Sequence, residues 1–508
     1  MSTAIISSER RWLLIRSIGV LALASLPYVI GALTAGPDRV FSGLQVNPLD
    51  GVSYLAKMQI GLHGEWLFSL RFTAESSTGV LLFTYFVALG QLARMLGLPL
   101  ILVFHAARLL GGFALLWSIY ALIARVTDSI DQRRRAWWLI AISSGLGWLA
   151  LLSGRASTSD WTIPESNTFY SLIANAHFAL AMALMIVLFI GLLEAQHVSA
   201  RRVIGLSVLS ILLAIIQPFA PVALFAILGV TLVLIWRRDR AWPRPQFFTA
   251  IGVGLITTPL LIYLYAATQI DAVLRGWSAQ NQTLSPAIID YVLGYGVLIL
   301  LAIPAARSAW RRRSNWDLLL LAWIVVTAPL LYAPFPLQRR WSLGLHIPIG
   351  VLAASGLSQI ARTIRARRLL FAATVPTSIT IVVVLIAGAA AHSPNIYLTT
   401  DEFAAMTWLH DHAQFNDVVL AAPETGAFIP AFAGQRVVYG HPYETVDADR
   451  KKQLVLDFFT GRSTDALRGV NYVLIGPREQ TLGASDVSDL PLSEAFRSGQ
   501  VVLYAVKP

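Results

Sequence analysis

One aspartate, two adjacent arginines and a few histidines and glutamates are the residues of this chain whose types could do chemistry. Asp50, in Asn47-Pro48-Leu49-Asp50-Gly51, is a carboxylate that could take a proton from a hydroxyl as the hydroxyl attacks a carbon centre. It could equally be a loop aspartate capping the helix that follows. Arg339 and Arg340, followed by Trp341, set two planar guanidinium forks side by side, a geometry suited to the oxygens of a phosphate. The alternative for that pair is anchoring to lipid headgroups. His105 and Arg108 could serve a substrate or pair with a neighbouring helix. Glu75, Glu165, Asn175 with His177, and His346 complete the set. Ionisable groups in or beside apolar runs are costly and need a partner or a task. The chain has no cysteine, which excludes disulfides, zinc–thiolate sites and thiol nucleophiles.

The elements that must carry these residues are membrane helices. Of 508 residues, 56% are hydrophobic and 13% charged. A soluble domain carries roughly 25% charged residues. Apolar runs of about 20 residues recur, so lipid replaces water around most of the chain. The net charge of +11 lies mostly in short arginine clusters between those runs, which is topology information and not a nucleic-acid stripe. No nucleic-acid partner is expected. The first run, Trp12 to about Thr34, is too long for a signal-peptide core and is expected to stay as the first membrane helix.

Positive loops stay in the cytoplasm. Arg10 and Arg11 place the N-terminus inside. Further clusters are Arg133 to Arg135, Arg201-Arg202, Arg237-Arg238 with Arg240 and Arg244, Arg307 with Arg311 to Arg313, and Arg362 to Arg368. An even number of crossings must separate each from the next. Helix pairs at 136–153 and 170–195, 203–217 and 221–236, 246–268 and 286–306, and 316–334 and 342–361 satisfy this. A helix at 369–390 then delivers the C-terminus outside.

Ahead of Arg133, three apolar runs would break the pattern. The run 79–97, with Gln91 and Arg94 and ending near Gly97 and Pro99, is therefore read as lying in the outer interface. The expected fold is an all-α polytopic membrane domain of about eleven spans over 1–392, with a long first extracytoplasmic loop at 36–99. A small extracytoplasmic α/β domain follows over 393–508. In the first loop Val52, Leu55, Ala56 and Ile60 recur at helical spacing, with Lys57 and Gln59 among them, as in a helix lying on the membrane surface. In the last domain, strands at 417–421, 435–439, 471–475 and 500–504 alternate with helices at 401–414 and 447–459. That alternation suggests a largely parallel sheet, with Glu424, His441 and Glu444 read as loop structure. In this topology the candidate chemical residues gather on the outer side.

The pattern resembles the GT-C superfamily of membrane glycosyltransferases, which includes oligosaccharyltransferases, protein O-mannosyltransferases and lipid A aminoarabinose transferases. The resemblance rests on the first helix, the long outer loop with Asp50 and juxtamembrane helices, the multi-span core and the outer C-terminal domain. The stretch from Leu89 through Arg108 to Arg125 also looks like the passage from a juxtamembrane helix into the second span. Within the superfamily the chain is similar to the polyprenyl-phosphate-sugar-dependent mannosyl and aminoarabinose transferases.

This resemblance implies an enzyme that moves a sugar from a polyprenyl-phosphate-linked donor to a lipid, protein or glycan acceptor on the outer face. Asp50 would be the general base, and Arg339 and Arg340 would hold the leaving phosphate. Glu75, Glu165 and His177 would position sugar hydroxyls, with Arg108, His105, Asn175 and His346 joining the binding set. Several branches carry an acidic pair in the first loop. Pro48 stands at the second acid's position, which leaves a divalent metal ion open. The competing classes are a transporter or flippase of a lipid-linked or anionic substrate, and a non-catalytic cell-envelope scaffold. Transporters often show repeated halves with broken helices near the midplane, and no such repeat is visible in the sequence.

Overall fold

Length and apolarity decide which helices can cross a bilayer. The computed structural model describes residues 6–484 and 490–507 and is mostly helical. Among the described residues eight helices are long and apolar enough: Ser7–Thr34, Leu100–Val126, Ile130–Leu152, Ala176–Leu193, Phe219–Asp239, Arg244–Ala267, Gln338–Ile360 and Ile364–Ala390. The pair Ile288–Tyr295 and Val297–Arg312, bent by 84°, would make a ninth as one span. The expected eleven is not reached, and the reason is length. Ala200–Ile216 has 17 residues and Asn315–Leu330 has 16. At 1.5 Å per residue these are about 24–26 Å long, against a hydrocarbon core of about 30 Å. The chain is an integral membrane protein.

Contacts divide it into two compact units. The first comprises Met1–Leu26, Ala106–Ile262 and Thr283–Leu385 and is a helical bundle. Charges removed from water are paired there. Glu9, 1% exposed, meets Arg133 at 3.3 Å and accepts the Tyr120 hydroxyl at 2.5 Å. Asp290, 2% exposed, pairs with Arg155 at 2.6 Å, and nearer the surface Arg125 pairs with Glu194 at 2.7 Å. Arg238 donates to the Arg313 carbonyl and to Asn315. The sharp bend after Tyr295 is made by Gly296, at φ 44° and ψ −119°, a conformation readily open only to glycine.

The second unit comprises Pro27–His105, Tyr263–Gln282 and Ile386–Pro508. Strand β1 (Arg39–Phe41) pairs antiparallel with β2 (Tyr397–Thr399). Strands β3 (Val418–Leu420), β4 (Arg436–Val437), β5 (Tyr472–Ile475), β6 (Leu492–Ser498) and β7 (Val501–Val506) form one sheet in the order β4-β3-β5-β7-β6. β4, β3 and β5 run parallel, but β7 and β6 are antiparallel additions. The sheet is mixed and not largely parallel, because the short turn at Gly499 leaves no room for a crossover connection. Helix Ala448–Phe459 packs Val455, Phe458 and Phe459 against Val418, Leu420, Val473 and Ile475.

The helix Pro48–Leu62 corrects a second expectation. Residues 51–61 are all buried, so this is the core helix of the unit and not one lying on a membrane surface. It packs against Thr84–Leu96 and Pro423–Phe432. Glycines permit the approach to Thr84–Leu96: a Cβ on Gly61 would strike the Val87 carbonyl, and one on Gly90 the Met58 carbonyl. Thr84–Leu96 has only 13 residues, about 20 Å of helix.

The close approach is testable. Gly90→Ala should destabilise the protein by about 1–3 kcal/mol through overpacking and lower its thermal midpoint in detergent. Gly205→Ala, whose methyl would meet nothing within 4 Å, should leave the midpoint unchanged or raise it.

Candidate functional site

In the first unit, residues 163–179 are buried throughout. Glu165 lies there in the short turn Pro164–Ser166 and is 1% exposed. Its Oε1 holds Nη1 of Arg340 at 2.7 Å, its carbonyl accepts the Gly344 N–H at 3.0 Å, and the Arg340 guanidinium lies 5.6 Å from the Phe178 ring. Arg339 and Arg340 occupy a second short turn, Gln338–Ser342. Among the described residues Arg339 makes no ion pair, and its Nε is buried without a hydrogen-bond partner. Glu165 Oε2 and Asn175 Nδ2 are in the same condition. A buried polar atom left unsatisfied costs about 1–3 kcal/mol. A carboxylate oxygen of that ion pair, the guanidinium next to it in sequence and a buried amide in the same buried stretch are groups whose missing bonds a polar ligand could supply. Asp160, nearby in the chain, accepts the Gly145 and Gly147 N–H groups at 2.9 and 3.1 Å. Burial pushes its carboxyl above the usual range.

Other candidates are committed to their own surroundings. Arg108, 2% exposed, donates to the Leu172 carbonyl at 2.7 Å and to Ser25 Oγ at 3.0 Å, and so holds the helix Thr168–Ile173. His346 lies 3.2 Å from Ser143 Oγ and 3.0 Å from Thr168 Oγ1. His177 is buried beside the Phe178 ring at 4.0 Å. In the second unit, His105 Nε2 is 2.9 Å from the Gly43 carbonyl, and its ring meets Tyr28 edge-on at 4.7 Å. Glu75 pairs with Lys451 at 2.5 Å and accepts the Thr73 hydroxyl. Burial alone would raise the Glu75 carboxyl, but Lys451 and Thr73 outweigh it and hold it low.

Asp50 belongs to a different cluster in the second unit. It lies in the first turn of Pro48–Leu62 and not at its cap, which is Asn47 at φ 44°. Asp50, Ser53 and Lys57 stand at i, i+3 and i+7 and so share one helix face. On that face Lys57, 1% exposed, binds Glu444 Oε1 at 2.7 Å and Ser53 Oγ at 2.6 Å. Ser53 donates to the same Glu444 oxygen at 2.5 Å. The Phe83 ring lies 4.4 Å from the ammonium, a favourable cation–aromatic distance. Glu444 closes the turn His441-Pro442-Tyr443-Glu444, in which His441 Nδ1 accepts the Tyr443 and Glu444 N–H groups at 3.1 and 3.2 Å. Burial works to raise the Glu444 carboxyl, yet Lys57, His441 and Ser53 together hold it below the usual range. Burial lowers the His441 imidazole, opposed by Glu444 and by Asp50, which is close enough to act on it.

Lys57, His441 and Glu444 were not singled out as site residues by the sequence, although the i, i+3, i+7 spacing from Asp50 carried a signal. A divalent ion does not fit the residues around Asp50. The cation between Ser53 and Glu444 is the Lys57 ammonium. Among the described residues no three His, Cys, Asp or Glu side chains gather as ligands.

No protein-family model matches the chain, and no curated protein matches it in sequence. Solved structures do match. ArnT from Cupriavidus metallidurans in the apo state is similar over 99% of this chain and 99% of that one, at 11% identity and a TM-score of 0.54. The same protein bound to undecaprenyl phosphate is similar over 96% and 98%, at 11% identity and a TM-score of 0.53. The Archaeoglobus fulgidus oligosaccharyltransferase, tethered to an acceptor peptide containing an NVT sequon, is similar over 91% of this chain and 69% of that one, at 14% identity and a TM-score of 0.54. Both proteins are GT-C glycosyltransferases, and the chain has the GT-C fold that its sequence resembles.

Breaking the buried pair should be costly. Lys57→Met should destabilise the protein by about 3–5 kcal/mol, because it leaves a buried charge without its partner. Glu444 titrates below its ordinary value of 4.5. Its contribution is therefore complete above that pH and is lost as pH falls through the lowered value. The difference in thermal midpoint between wild type and Lys57→Met should shrink as pH falls below the ordinary carboxylate value of 4.5.

Proposed function

We propose that the protein is a membrane glycosyltransferase of the GT-C type that moves a sugar from a polyprenyl-phosphate-linked donor to an acceptor at the extracytoplasmic face. The observation that carries this reading is a fold similar to ArnT over the length of both chains, ArnT having been captured with undecaprenyl phosphate. Asp50 takes the proton of the acceptor hydroxyl as its oxygen bonds to the anomeric carbon. The bond from that carbon to the phosphate oxygen breaks, and polyprenyl phosphate leaves as an anion. Arg339, which no side chain neutralises among the described residues, and Arg340, held in place by Glu165, meet the developing charge. The free oxygen of Glu165, with Asn175 and His177, positions sugar hydroxyls. Arg108, His105, Glu75 and His346 brace the segments that carry these groups.

The orientation in this reading keeps the N-terminus in the cytoplasm and the C-terminal domain outside. The contact of Glu9 with Arg133 supports it, because an even number of crossings must separate residues that touch at one end of a bundle. Ser7–Thr34 and Leu100–Val126 supply two, with Thr84–Leu96 lying in the outer interface. The bonds from Arg238 to Arg313 and Asn315 likewise bring two basic loops to one side. Eleven crossings follow if Ala200–Ile216, Asn315–Leu330 and the bent pair each span. That 84° bend is the feature a transporter would share. A transporter would carry the donor across the bilayer with its glycosyl–phosphate bond intact.

The test is transfer of label from a radiolabelled polyprenyl-phosphate sugar by the purified protein, with cell-envelope material as the acceptor source. Asp50→Asn should slow transfer by about 10²- to 10⁴-fold, the range for loss of a general base. Undiminished transfer would remove Asp50 from that role, and vesicle flux of intact donor without transfer would favour the transporter.

A further inference from the structure

Histidine is the side chain whose charge changes between about pH 5 and 8, and one histidine of the second unit stands where a charge is unwelcome. Arg71 is 2% exposed, and its partners among the described residues are neutral. It donates to the Gly434 carbonyl at 2.6 and 3.1 Å, to Asn416 Oδ1 at 3.0 Å and to the Phe415 carbonyl. Its guanidinium lies 3.7 Å from the centre of the Phe415 ring. The His63 imidazole stacks on the same ring, with centroids 4.2 Å apart and planes inclined by 24°. One face of a phenyl ring has no room for both, so they cover opposite faces. His63 caps the C-terminus of Pro48–Leu62. Its Nδ1–H donates to the Gln59 carbonyl at 2.9 Å, which leaves Nε2 to take up a proton. The His410 ring, on the helix Thr400–His412, meets it edge-on at 5.3 Å. The charged groups facing His63 are thus His410 and, beyond Phe415, Arg71. Arg94, of the helix Thr84–Leu96, lies against the neighbouring Gly64, and Glu65 is exposed. Arg436 adds to the charge felt by Arg71, and the carboxylates Glu75 and Asp417 act on Arg436.

We propose that His63 is an acid-sensitive latch between the helix Pro48–Leu62 and the helix Thr400–His412. Neutral, its ring fills the space between Phe415 and His410 and closes the joint. The fit is close: a Cβ on Gly434 would come within 3.0 Å of the His63 ring. Protonated, the ring sets a second cation against Phe415, opposite a guanidinium with no carboxylate partner among the described residues, and beside His410. Repulsion then favours the arrangement in which the imidazolium leaves the stack for water. Burial lowers the His63 imidazole, the Gln59 carbonyl opposes this, and His410 and Arg71 add to the lowering. A lowered value means that the open joint binds the proton more tightly than the closed one. The closed joint is therefore favoured above the ordinary value of 6.5 and loses ground as pH falls below it. The helix released is the one that carries Asp50, and its release is read without any transfer reaction.

The experiment is hydrogen–deuterium exchange of the full-length protein in detergent at about pH 7.5 and about pH 5.5, corrected for the intrinsic pH dependence of exchange. Both conditions lie above the range in which Glu444 titrates. Protection of residues 59–65 and 408–416 should fall about three- to ten-fold at the lower pH. Ten-fold is roughly the limit for one histidine about one unit below its ordinary value of 6.5. The helix Ile130–Ile142 of the first unit should keep its protection. His63→Phe, which keeps a ring on Phe415 and takes up no proton, should hold the joint protected at both pH values. His63→Gln, without a ring and without a titratable group, should give weaker protection that does not change with pH. That second variant keeps the test decisive if the phenylalanine variant fails to fold. Equal protection of wild type at the two pH values, or the wild-type acid loss in either variant, would overturn the latch. An equal loss in Ile130–Ile142 would also overturn it, because the whole protein would then be opening in acid.

Discussion

A charge taken out of water needs an opposite charge beside it, and this chain is organised around that demand. Lys57 and Glu444 lie 387 residues apart in sequence and 2.7 Å apart in space, almost wholly buried. Their pairing makes the first loop and the C-terminal sheet parts of one compact unit, with the helix Pro48–Leu62 at its core. Within the bundle unit, Glu165 and Arg340 join a buried connection to the turn before the helix His346–Ile360. Glu9 and Arg133 join the start of the first helix to the helix Ile130–Ile142. Remove one member of any pair and the other is left charged in a medium that cannot solvate it.

The same demand underlies the proposed division between scaffold and machinery. Arg108, His105, Glu75 and His346 looked like binding groups because they were polar residues in apolar surroundings, and each has neighbours that account for its presence. Arg339 makes no ion pair among the described residues, and its Nε is buried without a hydrogen-bond partner. A buried guanidinium nitrogen without a partner is costly to keep unless a ligand completes it. The proposed function rests on groups whose interactions are incomplete.

Most of the helices were legible because apolar runs of membrane length need no tertiary information. The ends of Ser7–Thr34, Leu100–Val126 and Phe219–Asp239 fall close to where the apolar runs stop. Two features were not legible. Lys57 and Gln59 made Pro48–Leu62 read as a surface helix, because a single sequence does not reveal that Glu444 lies across from Lys57. The strand Leu492–Ser498, with Ser493, Glu494, Arg497 and Ser498, has too few apolar residues to signal itself, and Val501–Val506 makes the sheet mixed by pairing antiparallel with both it and Tyr472–Ile475. At the site, residue types and spacing brought out Asp50 and the arginine pair. His441 and Glu444 were hidden in a turn because their partners come from the other end of the chain.

The central claim is that an uncommitted arginine waits for a lipid phosphate. Equilibrium binding of a radiolabelled polyprenyl phosphate to the purified protein tests it without relying on turnover. Wild type should bind saturably, and Arg339→Ala should bind at least about ten-fold more weakly, as loss of a charge-assisted bond of about 1.5–3 kcal/mol requires. Equal affinity in the two proteins, or no saturable binding by wild type, would contradict the account.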